Sequence, residues 1–105
     1  CITDMNTVMD RLFMFRRPAP ELDNADVRAA IATDTVAYQK LVPLCRAIAP
    51  AEIQNDIEFV RLFDGAEASV ASLMPALEAR DAEAVVNVLR ELRSLDRILF
   101  FRFGG

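Results

Sequence analysis

Apolar residues recur at intervals of three and four positions along nearly the whole 105-residue chain, and this period favours helical folds. The clearest example lies near the start, where Met5, Val8, Met9, Leu12 and Phe13 form one helical stripe. No stretch of any length alternates apolar and polar residues as a half-buried strand does. The sequence therefore predicts an all-α fold.

Prolines separate the first two predicted helices. Helix one is expected from Thr3 to Arg17, with Thr3 or Asp4 as its cap, and Pro18 and Pro20 impose an extended linker after it. The second helix is predicted from residue 25 to about residue 41, with Asn24 as its N-cap and an end at Pro43, and residues 43–50 are expected to be irregular. Its inner face would carry Val27, Ala30, Ile31, Ala37, Tyr38 and Leu41.

Helix three is predicted to begin near Pro50 and to break at residues 79–80, with Gly65 inside it and a kink at Pro75. Asp81 is expected to cap the last helix, which runs to Phe103. Short connections between such helices predict an antiparallel, up-down-up-down four-helix bundle, a single domain over residues 1–105. The expected inner residues are Ile53, Ile57, Val60, Phe63, Val70, Met74 and Leu77 in helix three, and Val85, Val88, Leu92, Leu95, Leu99 and Phe103 in the last.

The composition excludes several functional classes. Histidine is absent, which rules out Ser-His-Asp or Cys-His catalysis and histidine-ligated zinc. The net charge of −4 and the lack of a basic stretch argue against nucleic acid, and the apolar runs are too short to cross a bilayer. We predict that the protein is not an enzyme, because the carboxylates of helix three are expected on a solvated face. These carboxylates are Glu52, Asp56, Glu58, Asp64 and Glu67.

The two cysteines, Cys1 and Cys45, have three interpretations. In an antiparallel hairpin the start of helix one and the end of helix two lie at the same end, so a Cys1–Cys45 disulfide is feasible. That bond would indicate an oxidising compartment. Alternatively, Cys1 is the lipid-modified first residue of a bacterial lipoprotein, or both cysteines are unpaired.

Two further groups of apolar residues have a structural and a functional interpretation. Ile98 and Phe101 lie on a flank that a minimal bundle need not bury, so they either form an oligomer interface or fill the end of the core. Methionine at helical spacing usually fills a core, although its thioether can also ligate haem iron. The methionines concerned are Met5, Met9, Met14 and Met74.

The two last helices, from Phe59 through Leu77-Glu-Ala-Arg-Asp81 to Phe103, are similar in spacing to the c′-type proteins of the cytochrome c′/cytochrome b562 superfamily. These four-helix-bundle haem proteins end their last helix in C-x-x-C-H-x-x-[FY]-R. Phe103 falls on the aromatic position of that motif. In this chain Asp96 and Leu99 stand where the haem-linking cysteines would be, and Phe100 stands where the axial histidine would be.

Helix one resembles the b562 branch, because Met9 in Met9-Asp-Arg-Leu12 stands like the axial methionine of that branch. Residues 23–25 likewise look like the start of its second helix. The resemblance implies a haem-free, periplasmic bacterial relative with a binding or structural role, commonly a homodimer. Phenyl rings such as Phe100 would then fill the volume that porphyrin occupies in relatives.

Two alternatives to this interpretation remain. One is a b-type electron-transfer protein that holds haem through Met9, with Cys45 or a non-protein ligand on the other side of the iron. The other is an adaptor whose exposed apolar stripe accepts a helix of a partner protein.

Overall fold

The chain is helical along nearly its whole length in a computed structural model that describes residues 1–104, which confirms the predicted all-α class. A 3-10 turn at Met14–Arg16 follows the first helix, and residues 17–24 link it to the second. The helices are α1 (Ile2–Phe13), α2 (Ala25–Ile48), α3 (Ala51–Gln54), α4 (Ile57–Ala71), α5 (Leu73–Glu78) and α6 (Ala82–Phe103).

Four long helical segments pack side by side, with α4 and α5 together forming one of them. α1 packs against α2 and α6, and α4 and α5 pack against the same two helices from the other side. A Cys1–Cys45 disulfide joins the start of α1 to the end of α2. The Phe59 ring, at the start of α4, meets the Phe103 ring, at the end of α6, with centroids 5.3 Å apart. Neighbouring segments are therefore antiparallel, and the body measures 45 × 20 × 18 Å.

Helix α1 begins one residue before its predicted start and ends earlier than predicted. Neither Thr3 nor Asp4 caps it, because the N-cap position falls on Cys1, which makes no side-chain capping bond. The Thr3 Oγ1 instead donates to the Gly104 carbonyl, 3.4 Å away, at the end of α6. The apolar stripe is as predicted, with Phe13 half-buried and the others in the core: Met5, Val8, Met9 and Leu12.

Helix α2 starts at its predicted cap, where the Asn24 side chain accepts from the backbone N–H groups of Asp26 and Val27. The predicted end at Pro43 is wrong, since the helix continues to Ile48. A proline inside a helix costs about 3 kcal/mol. Here it lies on the exposed face, while buried Val42 and Cys45 on the opposite face tie this last part of α2 to the core. Packing and the disulfide outweigh the local preference.

The predicted third helix is interrupted twice. One turn, α3, follows Pro50, and Asp56 then caps α4 by accepting from the N–H groups of Glu58 and Phe59. The second interruption, at Ser72, precedes Pro75 by three residues. Proline has no N–H to donate, and its place in the first turn of α5 removes the need for one. The predicted kink therefore takes the form of a helix end and a new start.

Gly65 of α4 faces the Leu95 side chain of α6. A β-carbon added there would lie 3.2 Å from the Leu95 Cδ1 of α6. A larger residue would therefore require the Leu95 side chain to shift by a few tenths of an ångström, so the glycine offsets its lower helix propensity by leaving room for Leu95.

The turn from α5 to α6 closes with two backbone hydrogen bonds, from the Arg80 N–H to the Leu77 carbonyl and from the Asp81 N–H to the Ala76 carbonyl. This is the Schellman pattern, which needs a left-handed residue after the helix. Arg80 takes that conformation, with φ of 54°. Asp81 then caps α6 as predicted by accepting from the Ala84 N–H.

Two residues assigned to inner faces are exposed. Ala30 lies about 100° around α2 from buried Ile31, on the side away from the core. Ile57 is 85% exposed, because the break at Asp56 gives α4 a new phase in which Phe59 faces inward and Ile57 faces outward. Within the described part of the chain, no helix is both long and apolar enough to span a membrane.

Candidate functional site

A tyrosine and an aspartate meet inside the apolar core. The Tyr38 hydroxyl of α2 donates to the Asp96 Oδ1 of α6 over 2.8 Å, and neither residue has any exposed surface. The second carboxyl oxygen, Oδ2, is buried without a hydrogen-bond partner. Helices α2 and α6 lie on opposite sides of the bundle, each packed between α1 and the α4–α5 segment. The hydrogen bond therefore crosses the core diagonally.

Burial dominates the electrostatics of this pair. It raises the pKa of Asp96 to about 6, since a carboxylate loses its hydration in the core. The hydrogen bond from Tyr38 and the charges of Arg93 and Arg97 lower that pKa, whereas the like charge of Asp10 raises it. The pKa of Tyr38 is raised far above its ordinary value, by burial first and then by the adjacent carboxylate.

Three other polar residues are buried in the core. Thr35 is satisfied within its own helix, because its Oγ1 donates to the Ile31 carbonyl over 2.7 Å. Asn6 Oδ1 on α1 and Ser69 Oγ on α4 are buried without a partner. Unpaired buried polar atoms are costly and few in most proteins. The core is thus apolar except for a small number of polar groups. Among these, Tyr38 and Asp96 form the direct hydrogen bond between two helices.

The residues that stand where the resembled cytochromes hold haem differ in how deeply they are buried. Met9 and Leu99 have no exposed surface, and Asp96 is held by Tyr38. Phe100 is half-buried, and its ring meets the Phe101 ring with centroids 5.7 Å apart. Neither Met9 nor Phe100 lines either of the two surface clefts described below.

The other methionines divide between core and surface. Met5 is fully buried and Met74 half-buried, whereas Met14 is 74% exposed in the turn after α1. The thioether groups therefore do not converge on one site.

The carboxylates of predicted helix three do not converge either. Four of the five are exposed, and Glu58 is half-buried and paired with Arg61 and Arg102. The hydrogen bond from Arg61 holds the pKa of Glu58 below its ordinary value. Among residues 1–104, no group of three or more acidic, cysteine or histidine side chains could hold a metal ion.

The disulfide lies beside a shallow apolar cleft. The Cα atoms of Cys1 and Cys45 are 5.3 Å apart, and the bond links positions 44 residues apart in the sequence. A cleft of about 230 Å³ opens next to it, and no charged side chain lines it. A second cleft, of about 400 Å³, runs between α2 and α5 and is lined by alanines of α2, by Leu77 and by three charged residues, Arg28, Glu78 and Arg80. The first cleft includes Ile48, Ile53, Phe59 and Phe103 in its lining.

Ile98 and Phe101 are 40% and 74% exposed on the outer side of α6. The Arg97 guanidinium lies 5.8 Å from the centre of the Phe101 ring. Large apolar side chains are also exposed on α2 and α4, where Leu44, Ile48 and Ile57 face outward. The apolar surface is therefore spread over several helices.

The sequence does not predict the contact between Tyr38 and Asp96, although the position of each residue carries a signal. Tyr38 was assigned to the inner face of helix two. Asp96 lies between Leu92 and Leu99 on the apolar stripe of α6, and a lone carboxylate at such a position predicts a buried polar group. Which residue would reach it from across the core depends on packing that spacing alone does not specify.

Comparison with protein-family models, curated protein sequences and solved structures finds no match to this chain.

Proposed function

We propose that this chain is a haem-free helical bundle of the cytochrome c′/b562 type, with a binding or structural role instead of a catalytic one. The main support is the state of the positions where relatives would hold haem. Asp96 is buried and bonded to Tyr38, and Met9 and Leu99 have no exposed surface. Porphyrin at Met9 would have to displace these packed side chains, which costs several kcal/mol.

Haem titration of the purified, oxidised protein tests this proposal. We expect no Soret band beyond that of free haem. A band that persists in Met5→Leu but disappears in Met9→Leu would instead establish the alternative, a b-type haem protein with Met9 as an axial ligand. The two variants are matched, because Met5 and Met9 are both fully buried on α1.

The proposal includes self-association through the outer side of α6. Support comes from the exposed Ile98 and Phe101, since exposed apolar side chains on a helix are common at oligomer interfaces. We expect a homodimer in light scattering that Phe101→Ser converts to a monomer. Ile57→Ser is the matched control, because Ile57 is 85% exposed on a different helix and its substitution should leave the mass unchanged. A monomer at millimolar concentration would refute the dimer.

A periplasmic location is the third part of the proposal. Its support is the Cys1–Cys45 bond, because disulfides persist in oxidising compartments. A Cys1 sulfur bonded to Cys45 is not free to form the thioether of a lipid anchor. The intact mass of protein purified without reductant separates these states. We expect two hydrogens fewer than the sum of the residues and no added lipid, and a lipid adduct on Cys1 would overturn this part.

A further inference from the structure

The strongest feature outside the proposed function is the Tyr38–Asp96 pair. A carboxylate in an apolar core normally needs partners for both oxygens, because each has lost its water. Asp96 has one, the Tyr38 hydroxyl at 2.8 Å, and its Oδ2 is buried with none. Adding a proton to this carboxyl group removes the uncompensated charge.

The surroundings of Asp96 do little to compensate a charge. α1 presents Asp10, a like charge that lies at the surface and binds Arg93 of α6 over 3.4 Å. Arg93 and Arg97 attract the carboxylate but lie partly in solvent on its own helix. From α2 the neighbour is the neutral Tyr38 phenol, and all buried side chains of α4 and α5 are uncharged.

We propose that Asp96 and Tyr38 form a proton-binding site in the core, so that the folded protein is more stable with the site protonated than with it ionised. The bound ligand is a single proton on the Asp96 carboxyl group. Because the Tyr38 hydrogen bond joins α2 and α6 across the core, the charge state of this site affects the stability of the whole folded bundle.

The direction of the pH dependence follows from the two states of the chain. The pKa of Asp96 is about 6 in the folded protein. In an unfolded chain an aspartate has a pKa of about 3.9. The stabilising contribution is therefore complete below about pH 4, decreases as the pH rises, and is lost above about pH 6. Over that range this one site should raise the unfolding equilibrium constant by about 100-fold.

Urea unfolding of the oxidised protein at pH 4 and pH 8 tests the site. For each pH we compare the unfolding constant of the unaltered protein with that of Asp96→Asn, which keeps the size and cannot ionise. The ratio of the two constants should change by about 50-fold between the two pH values, because the unfolded-state carboxyl group is already about half ionised at pH 4, and a change of less than tenfold would overturn the proposal. Glu91→Gln is the matched control on the exposed face of α6, and its ratio should change by less than about threefold.

A second measurement begins with the unaltered protein, so its first result does not depend on any variant folding. The carboxyl-carbon NMR signal of Asp96 in the unaltered protein should titrate with a midpoint above pH 5, and a midpoint at or below pH 5 would overturn the proposal. In Tyr38→Phe the midpoint should move further up, because the phenol donates to the charged form and so favours ionisation. A midpoint that stays in place or falls would remove Tyr38 from the site.

Discussion

The two ends of the bundle are held together by different means. At one end, where α1 begins and α6 ends, the Cys1–Cys45 disulfide and the Phe59–Phe103 ring contact join helices that no local turn connects. At the other end the linker of residues 17–24 and the tight turn at Arg80 already connect neighbouring helices through the backbone. Cross-links beyond the backbone should therefore matter most at the disulfide end.

Breaking the disulfide should have the largest effect. We expect reduction to lower the free energy of unfolding by about 3–4 kcal/mol, because the bond closes a long loop and restricts the unfolded chain. Urea unfolding with and without reductant measures the loss. Cys1→Ser is the control, because it removes the bond at an exposed position and leaves the buried Cys45 thiol in place. Adding reductant to this variant should change its free energy of unfolding by less than about 0.5 kcal/mol. A loss below about 1 kcal/mol on reduction would show that packing alone closes this end.

The ring contact at the same end should contribute less. Phe103→Ala should cost about 2 kcal/mol, since it removes a half-buried ring and its edge-to-face contact with Phe59. The matched control is Ile57→Ala, which truncates an 85% exposed apolar side chain on α4 and should cost less than about 0.5 kcal/mol. Equal losses in urea unfolding would mean that Phe103 does not anchor the end of α6.

The sequence predicted the helical class well because helix periodicity and caps are local signals. The Asn24 and Asp81 caps lie where they were expected, and the stripe of α1 is buried as expected. The errors arise where distant contacts override local preference. Pro43 does not end α2, because the residues around it are held by the core and by a bond to Cys1.

The candidate site was less predictable than the fold. Asp96 was singled out only as the replacement of a haem-linking cysteine, and its partner lies 58 residues away. A hydrogen bond between diagonal helices depends on how the helices are rotated and on their relative heights. Neither quantity can be read from the period of one helix. Spacing could therefore indicate that each side chain is buried, but not that the two side chains meet.

At the turn end, the conformation of Arg80 should have a moderate effect of opposite sign. Arg80→Gly should raise the free energy of unfolding by about 0.5–1 kcal/mol, because a side chain at φ of 54° is strained and glycine is not. Arg80→Ala serves as the control, since it also removes the charge but keeps a β-carbon in the strained conformation, and it should bring no gain. If both variants were equally stable in urea unfolding, the Arg80 charge would matter here and its backbone conformation would not.

The ion pair at the turn end should have the smallest effect. The Arg80 Nη1 lies 3.1 Å from the Asp23 Oδ1, which ties the linker to the turn, but the Asp23 side chain is 93% exposed. Water and salt screen such a pair, and holding both side chains in place costs entropy. We therefore expect Asp23→Asn to leave the urea midpoint unchanged within error at 150 mM salt. If Asp23→Asn instead lost stability at low salt, and added salt abolished that loss, the turn end would also depend on a cross-link beyond its backbone turns. The two ends would then differ only in degree.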